Sequence, residues 1–187
     1  MKNTSKKSNM LFSVFMLYSF YIFFCSCEKN STPNPMPQLP PITMDGKNTF
    51  GCKVNGDIFL PYKPFGDLTT GPILNFYYTA AKELYIAARA NQITYFESVK
   101  VYAICPDTGI FNIVIKPGDD IVFYSNKSGE YHYYELSDSN SYNLIRILKL
   151  DTLKYIIAGT FQFTGYDPIK KDSVYITEGR FDIKYKE

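Results

Sequence analysis

From Phe50 to the end of the chain, apolar and polar residues alternate with a period of two, as half-buried strands do when side chains point to opposite faces in turn. In Gly179-Arg180-Phe181-Asp182-Ile183-Lys184-Tyr185, one face takes Phe181, Ile183 and Tyr185 and the other takes Arg180, Asp182 and Lys184. Glu97 to Cys105 sends Val99, Val101, Ala103 and Cys105 inward. Ile157, Gly159, Phe161 and Phe163 form another inward face, opposite Ala158, Thr160 and Gln162. Further strands are predicted near 50–55, 57–60, 73–79, 84–90, 110–116, 120–125, 130–136 and 142–150. Turn-forming sets such as Asn55-Gly56, Pro106-Asp107-Thr108-Gly109 and Asn126-Lys127-Ser128-Gly129 separate them. Val174 and Ile176 are even-numbered while Phe181 and Ile183 are odd, and a one-residue bulge at Gly179 would return all four to the core. About 8–11 short strands with no helical stretch predict an all-β domain over 49–187. The expected form is an antiparallel β-sandwich, with a closed lipocalin-like β-barrel as the alternative.

Ahead of this domain the pattern changes twice. Residues 1–9 are polar with three lysines, residues 10–24 are almost wholly apolar, and Cys25-Ser26-Cys27 follows. That order predicts a signal peptide over 1–26. An apolar run of about 15 residues is short for a spanning helix, which needs roughly 20. Phe24-Cys25-Ser26-Cys27 resembles a bacterial lipobox, which implies that Cys27 is acylated and becomes the mature N-terminus. Residues 27–48 carry prolines at 33, 35, 37, 40 and 41 and read as an extended, solvated tether. Glu28 at the second mature position speaks against inner-membrane retention, so the expected address is a lipid anchor in the outer membrane.

Composition supports the strand reading, with 17 Tyr and 15 Phe and no Trp. Removing Lys2, Lys6 and Lys7 with the signal peptide leaves 17 basic against 18 acidic side chains. So balanced a chain has no basic face to displace counterions from a phosphate backbone, and nucleic acid is excluded as a partner.

Three segments together look familiar: Gly46-Lys47-Asn48-Thr49-Phe50-Gly51-Cys52-Lys53-Val54-Asn55-Gly56, Ile157-Ala158-Gly159-Thr160-Phe161-Gln162-Phe163, and Ile176-Thr177-Glu178-Gly179-Arg180-Phe181-Asp182. They resemble a Bacteroidetes-type family of small lipoproteins whose domain has no assigned function. The resemblance covers most of 46–185, implies an envelope lipoprotein, and brings no catalytic residue with it.

The residues themselves offer little chemistry. The single histidine, His132, lies between tyrosines in a predicted strand and reads as a surface or rim residue rather than a proton-transfer group. No nucleophile elbow, Cys-x-x-Cys pair, metal-spaced histidines or phosphate loop occurs, so neither an enzyme nor a cofactor or metal site is expected. Asp119-Asp120 and the group Asp138, Asn140 and Asn143 offer oxygen ligands without the spacing of a calcium loop, and read as turn residues. Cys52 and Cys105 are either a disulfide closing a loop of about 50 residues, worth about 4 kcal/mol, or two separate buried thiols. The tyrosine excess is the best binding signal, because Tyr77, Tyr131, Tyr133 and Tyr134 include residues of both parities, so some must face outward. Exposed rings with polar tips suit sugar faces or an envelope protein. Asp151-Thr152-Leu153 and Asp172-Ser173-Val174 look like a bacterial O-glycosylation motif, with Thr152 and Ser173 as acceptors. The expected function is a membrane-tethered, non-enzymatic binding or structural module, with a carrier of a small apolar ligand as the alternative.

Overall fold

The computed structural model describes residues 37–62, 73–91, 96–115, 123–125, 129–137 and 142–185. The segment read as a signal peptide (1–26), Cys27 and the first part of the expected tether lie outside them, as do Asp119, Asp120, Asp138 and Asn140. Eleven strands are described: β1 (Thr49–Val54), β2 (Asp57–Phe59), β3 (Leu74–Tyr78), β4 (Glu83–Asn91), β5 (Phe96–Ile104), β6 (Gly109–Asn112), β7 (Phe123–Ser125), β8 (His132–Leu136), β9 (Leu144–Asp151), β10 (Ile156–Asp167) and β11 (Asp172–Lys184). Every ladder between them is antiparallel.

The strands make a sandwich, not a closed barrel. Sheet A runs β2-β1-β11-β10, with β9 and then β6 beyond β10, and sheet B runs β3-β4-β5-β7-β8. The two layers are joined through β10, which is longer than any partner on that side. Its first part, Ile156 to Gln162, pairs with β9, and Gly165 and Tyr166 then pair with β8. Asn143 holds the fork open where the partner changes. Its Oδ1 accepts from the Thr164 amide at 3.0 Å and its Nδ2 donates to the Ser137 carbonyl at 2.6 Å. Buried and satisfied in this way, Asn143 is a splice between strands rather than a turn ligand for a cation.

The inward faces follow the alternation in the sequence. Val99, Val101, Ala103 and Cys105 from sheet B meet Ile157, Phe161 and Phe163 from sheet A in one buried cluster. A fully buried side chain of this size contributes about 1.5–3 kcal/mol. Phe161 is the hub of an aromatic group, stacked on Phe50 at 5.2 Å and on Phe163 at 6.2 Å.

The expected bulge in β11 forms, with one refinement. Phe161 pairs with Gly179 but Phe163 pairs with Ile176, so one extra residue is taken up between them. Val174, Ile176, Phe181 and Ile183 are all buried. The left-handed residue is Glu178, at φ 51°, and not Gly179. Gly179 is needed for another reason, since a Cβ there would meet three Phe161 ring carbons at 2.5–2.6 Å.

Residues 37–48, read from the sequence as solvated tether, are instead laid on sheet A. Arg180 donates to the Pro40 carbonyl at 3.4 Å and Lys149 Nζ donates to the Met44 carbonyl at 2.9 Å. The segment is a strap across the outer face of the sheet.

Candidate functional site

Even-numbered residues of β10 point away from the core, so Ala158, Thr160, Gln162, Thr164 and Tyr166 form one line down the outer face of sheet A. Three different surfaces follow one another along that line.

At the β9 turn end lies the strap. Asp182, expected on the solvent side of β11, is only 1% exposed. Its parity is as read, but the strap covers it. Its carboxylate accepts from the Thr43 hydroxyl at 2.6 Å and from the amides of Asp45 and Gly46 at 3.0 and 2.6 Å. Burial pushes the Asp182 carboxyl up, but these bonds and the Lys47 amide outweigh it and hold the group below its ordinary value. Ala158 is buried beside it.

Next comes a row of charge. The register puts Arg146 of β9, Thr160 of β10 and Arg180 of β11 directly opposite one another, with Ile110 of β6 beyond Arg146. A groove of about 410 Å³ lies over them, with Ile42 of the strap and Ile110 as exposed apolar sides. Arg180 is held in place: its Nε donates to the Glu178 carbonyl at 3.2 Å and a terminal nitrogen lies 3.5 Å from the Glu178 carboxylate. Glu178 in turn pairs with Lys53, whose hydrogen bond leads the effects that lower its carboxyl below the usual range.

The third surface is aromatic. Tyr166 sits opposite Ser173 of β11 and Glu135 of β8, and Tyr175 sits opposite Thr164. Tyr175, Tyr166 and Tyr133 are therefore diagonal neighbours on three adjacent strands, each about 7–8 Å from the next. Tyr131 continues the line, its ring stacked against Tyr133 at 6.4 Å. These four rings are 40–59% exposed. The result is an oblique stripe of tyrosines about 20 Å long across the sheet.

The stripe contains two of the four tyrosines that the sequence singled out. Tyr131 and Tyr133 are on it. Tyr134 is not available for binding, because it points into the core and its hydroxyl donates to Asp172 at 3.1 Å. Burial and Asp172 push that hydroxyl up to about 12. Tyr77 is half-buried on β3, stacked on Tyr85 at 5.2 Å on the outer side of sheet B. Tyr166, Arg146 and Arg180 were missed as site residues. Carrying the even-numbered parity of β10 past Phe163 would have found Tyr166.

His132 is a rim residue. It borders a second pocket, of about 230 Å³, with Asp57, Ile58, Glu97, Ser125 and Tyr134. Its ring stacks on Tyr134 at 5.9 Å, with Nδ1 3.3 Å from the Tyr134 hydroxyl. Lys170 lies 3.4 Å from Nε2 and bonds to Glu130 at 2.6 Å. These contacts tie the end of β8 to the β10–β11 turn. Cys52 and Cys105 are free and fully buried. Burial pushes both thiols up, Cys105 to about 12, so neither is a nucleophile near neutral pH. Thr152 is exposed in the β9–β10 turn, where Asp151 accepts from the amides of Leu153 and Lys154. Ser173 is half-buried within β11. Among the described residues no three His, Cys, Asp or Glu side chains gather as a metal site. No family model, no curated protein and no solved structure matches this chain.

Proposed function

We propose that this protein is a lipid-anchored, non-enzymatic binding module of the cell envelope that holds glycan chains on the outer face of sheet A. One observation carries the reading: Tyr133, Tyr166 and Tyr175 are exposed in a single line on three adjacent strands, and Tyr131, just before β8, continues it. An exposed phenol ring offers an apolar face to the C–H side of a sugar and a hydroxyl to its edge. Strands hold such rings at fixed spacing without the ordering penalty of a loop. An extended polymer therefore suits the stripe better than a compact ligand. The apolar-ligand carrier loses its basis, because the sheets do not close into a barrel.

The anchor belongs to the same proposal. Cys27 carries the acyl chains at the outer membrane, and the segment after it leads to the strap. Mass spectrometry of the mature N-terminus tests this part, and a chain that keeps Met1 and an unmodified Cys27 would end it. Affinity electrophoresis of the full chain in detergent, through gels cast with soluble polysaccharides, tests the binding. Retardation that Tyr133→Ala and Tyr166→Ala together abolish is the expected result. Equal mobility in every polymer tried would remove the glycan reading.

A further inference from the structure

The tyrosine stripe does not end in open surface. Following the outward residues of β10 from Tyr166 through Thr164 and Gln162 leads to Thr160, and so to the groove between Arg146 and Arg180. Thr160 and Tyr166 are six residue steps apart along the strand, about 20 Å at the usual rise. Stripe and groove are thus successive stations on one face. Their chemistry differs.

Arg146 and Arg180 flank the Thr160 hydroxyl from the two neighbouring strands, so two guanidinium groups and a neutral donor share the groove floor. Arg180 is braced by Glu178 and by the Pro40 carbonyl. Arg146 is exposed and has no ion pair among the described residues. The one acid on the lining, Glu178, is shared with Lys53 and Arg180. The groove therefore carries a surplus of positive charge on a protein that is otherwise close to balanced. A planar guanidinium binds a carboxylate through two parallel hydrogen bonds, and here Arg180 is held by its neighbours while Arg146 is left to close on a ligand. Ile42 and Ile110 stand on the groove's sides, where a sugar ring bearing the acid would rest its apolar edge.

We propose that the Arg146–Thr160–Arg180 groove is a carboxylate subsite, so that the polymer held by the tyrosine stripe is an acidic, uronate-bearing polysaccharide. This rests on the glycan reading of the stripe. The strap takes part in the subsite, since Ile42 is one of its residues and the Pro40 carbonyl holds Arg180.

Affinity electrophoresis of the full chain in detergent tests it with three probes: polygalacturonate, dextran sulfate and neutral dextran. The expected result is strongest retardation in polygalacturonate. Arg146→Ala should weaken that binding by about tenfold, the scale of one lost charge-assisted pair, and Arg146→Lys by less. Tyr166→Ala should weaken it too. Far-ultraviolet circular dichroism checks that each variant is folded, and Arg146 is exposed, so its replacement removes no core contact. If the wild type binds neutral dextran as well as polygalacturonate, and Arg146→Ala changes nothing, the subsite is overturned while the glycan reading stands. If dextran sulfate binds as tightly as polygalacturonate and both are lost in moderate salt, the groove is a general polyanion patch and the carboxylate assignment falls. If no polymer binds, both readings fall together. If polygalacturonate binding survives Tyr166→Ala but not Arg146→Ala, the groove acts without the stripe and the joint proposal is overturned.

Discussion

Along the outward side of β10 the same parity leads to opposite outcomes at the two ends of the strand. At Ala158, beside Asp182, the face is sealed, because the chain's own residues 43–46 lie over it and satisfy the carboxylate. At Tyr166 the face is open, with tyrosines on both neighbouring strands. Alternation decides which way a side chain points, and whether anything lies over it is decided elsewhere in the sequence. The covered end was made safe by a buried, fully bonded charge. The open end has been left with amphipathic rings that tolerate water and still offer contact area.

The most forceful way to break the contrast is Asp182→Ala, which strands the Thr43 hydroxyl and two or three amides under the strap. A loss of about 3 kcal/mol is expected, read as a lower urea midpoint, with faster hydrogen exchange at residues 43–47. Gly179→Ala should cost about 1–3 kcal/mol by driving a methyl group into the Phe161 ring, and that strain arises between the two ends. Acid separates them more finely. The Asp182 carboxyl is held below its ordinary value, so its contribution is complete above the unfolded value of about 3.9 and is lost as pH falls through the folded one. Stability should therefore drop below about pH 4 in the native chain, and Asp182→Asn should flatten that slope in pH-dependent urea melts. Tyr166→Ala should be the mildest, within about 0.5 kcal/mol of the native chain, while polysaccharide retention is weakened. A large destabilisation there would mean that the open end is structural after all.

Much of the fold was legible because its strands declare themselves two residues at a time. Phe161, Phe163, Phe181 and Ile183 face inward as read, and the parity change before Phe181 announced a bulge. The local signal could not say that Glu178 rather than Gly179 would take the left-handed conformation, nor that Gly179 would be needed for the space the Phe161 ring fills beside it. Asp182 was read as solvated because its covering partner Thr43 lies 139 positions away in the chain, beyond any periodicity. Tyr134 was misassigned for a different reason. The run Tyr131 to Glu135 holds no aliphatic residue to mark the inward side, so parity there is mute until Gly165 and Val174 pack around Tyr134. The arginine row was invisible for the same reason as most sheet sites: Arg146, Thr160 and Arg180 become neighbours only through register.

The fork in β10 reaches beyond geometry. Because one strand is stitched first to β9 and then to β8, with Asn143 at the crotch, neither layer can peel away without tearing a seam it shares with the other. Denaturation should accordingly run as one all-or-none event, and replacing Asn143 with alanine should be the change that lets the two halves melt apart.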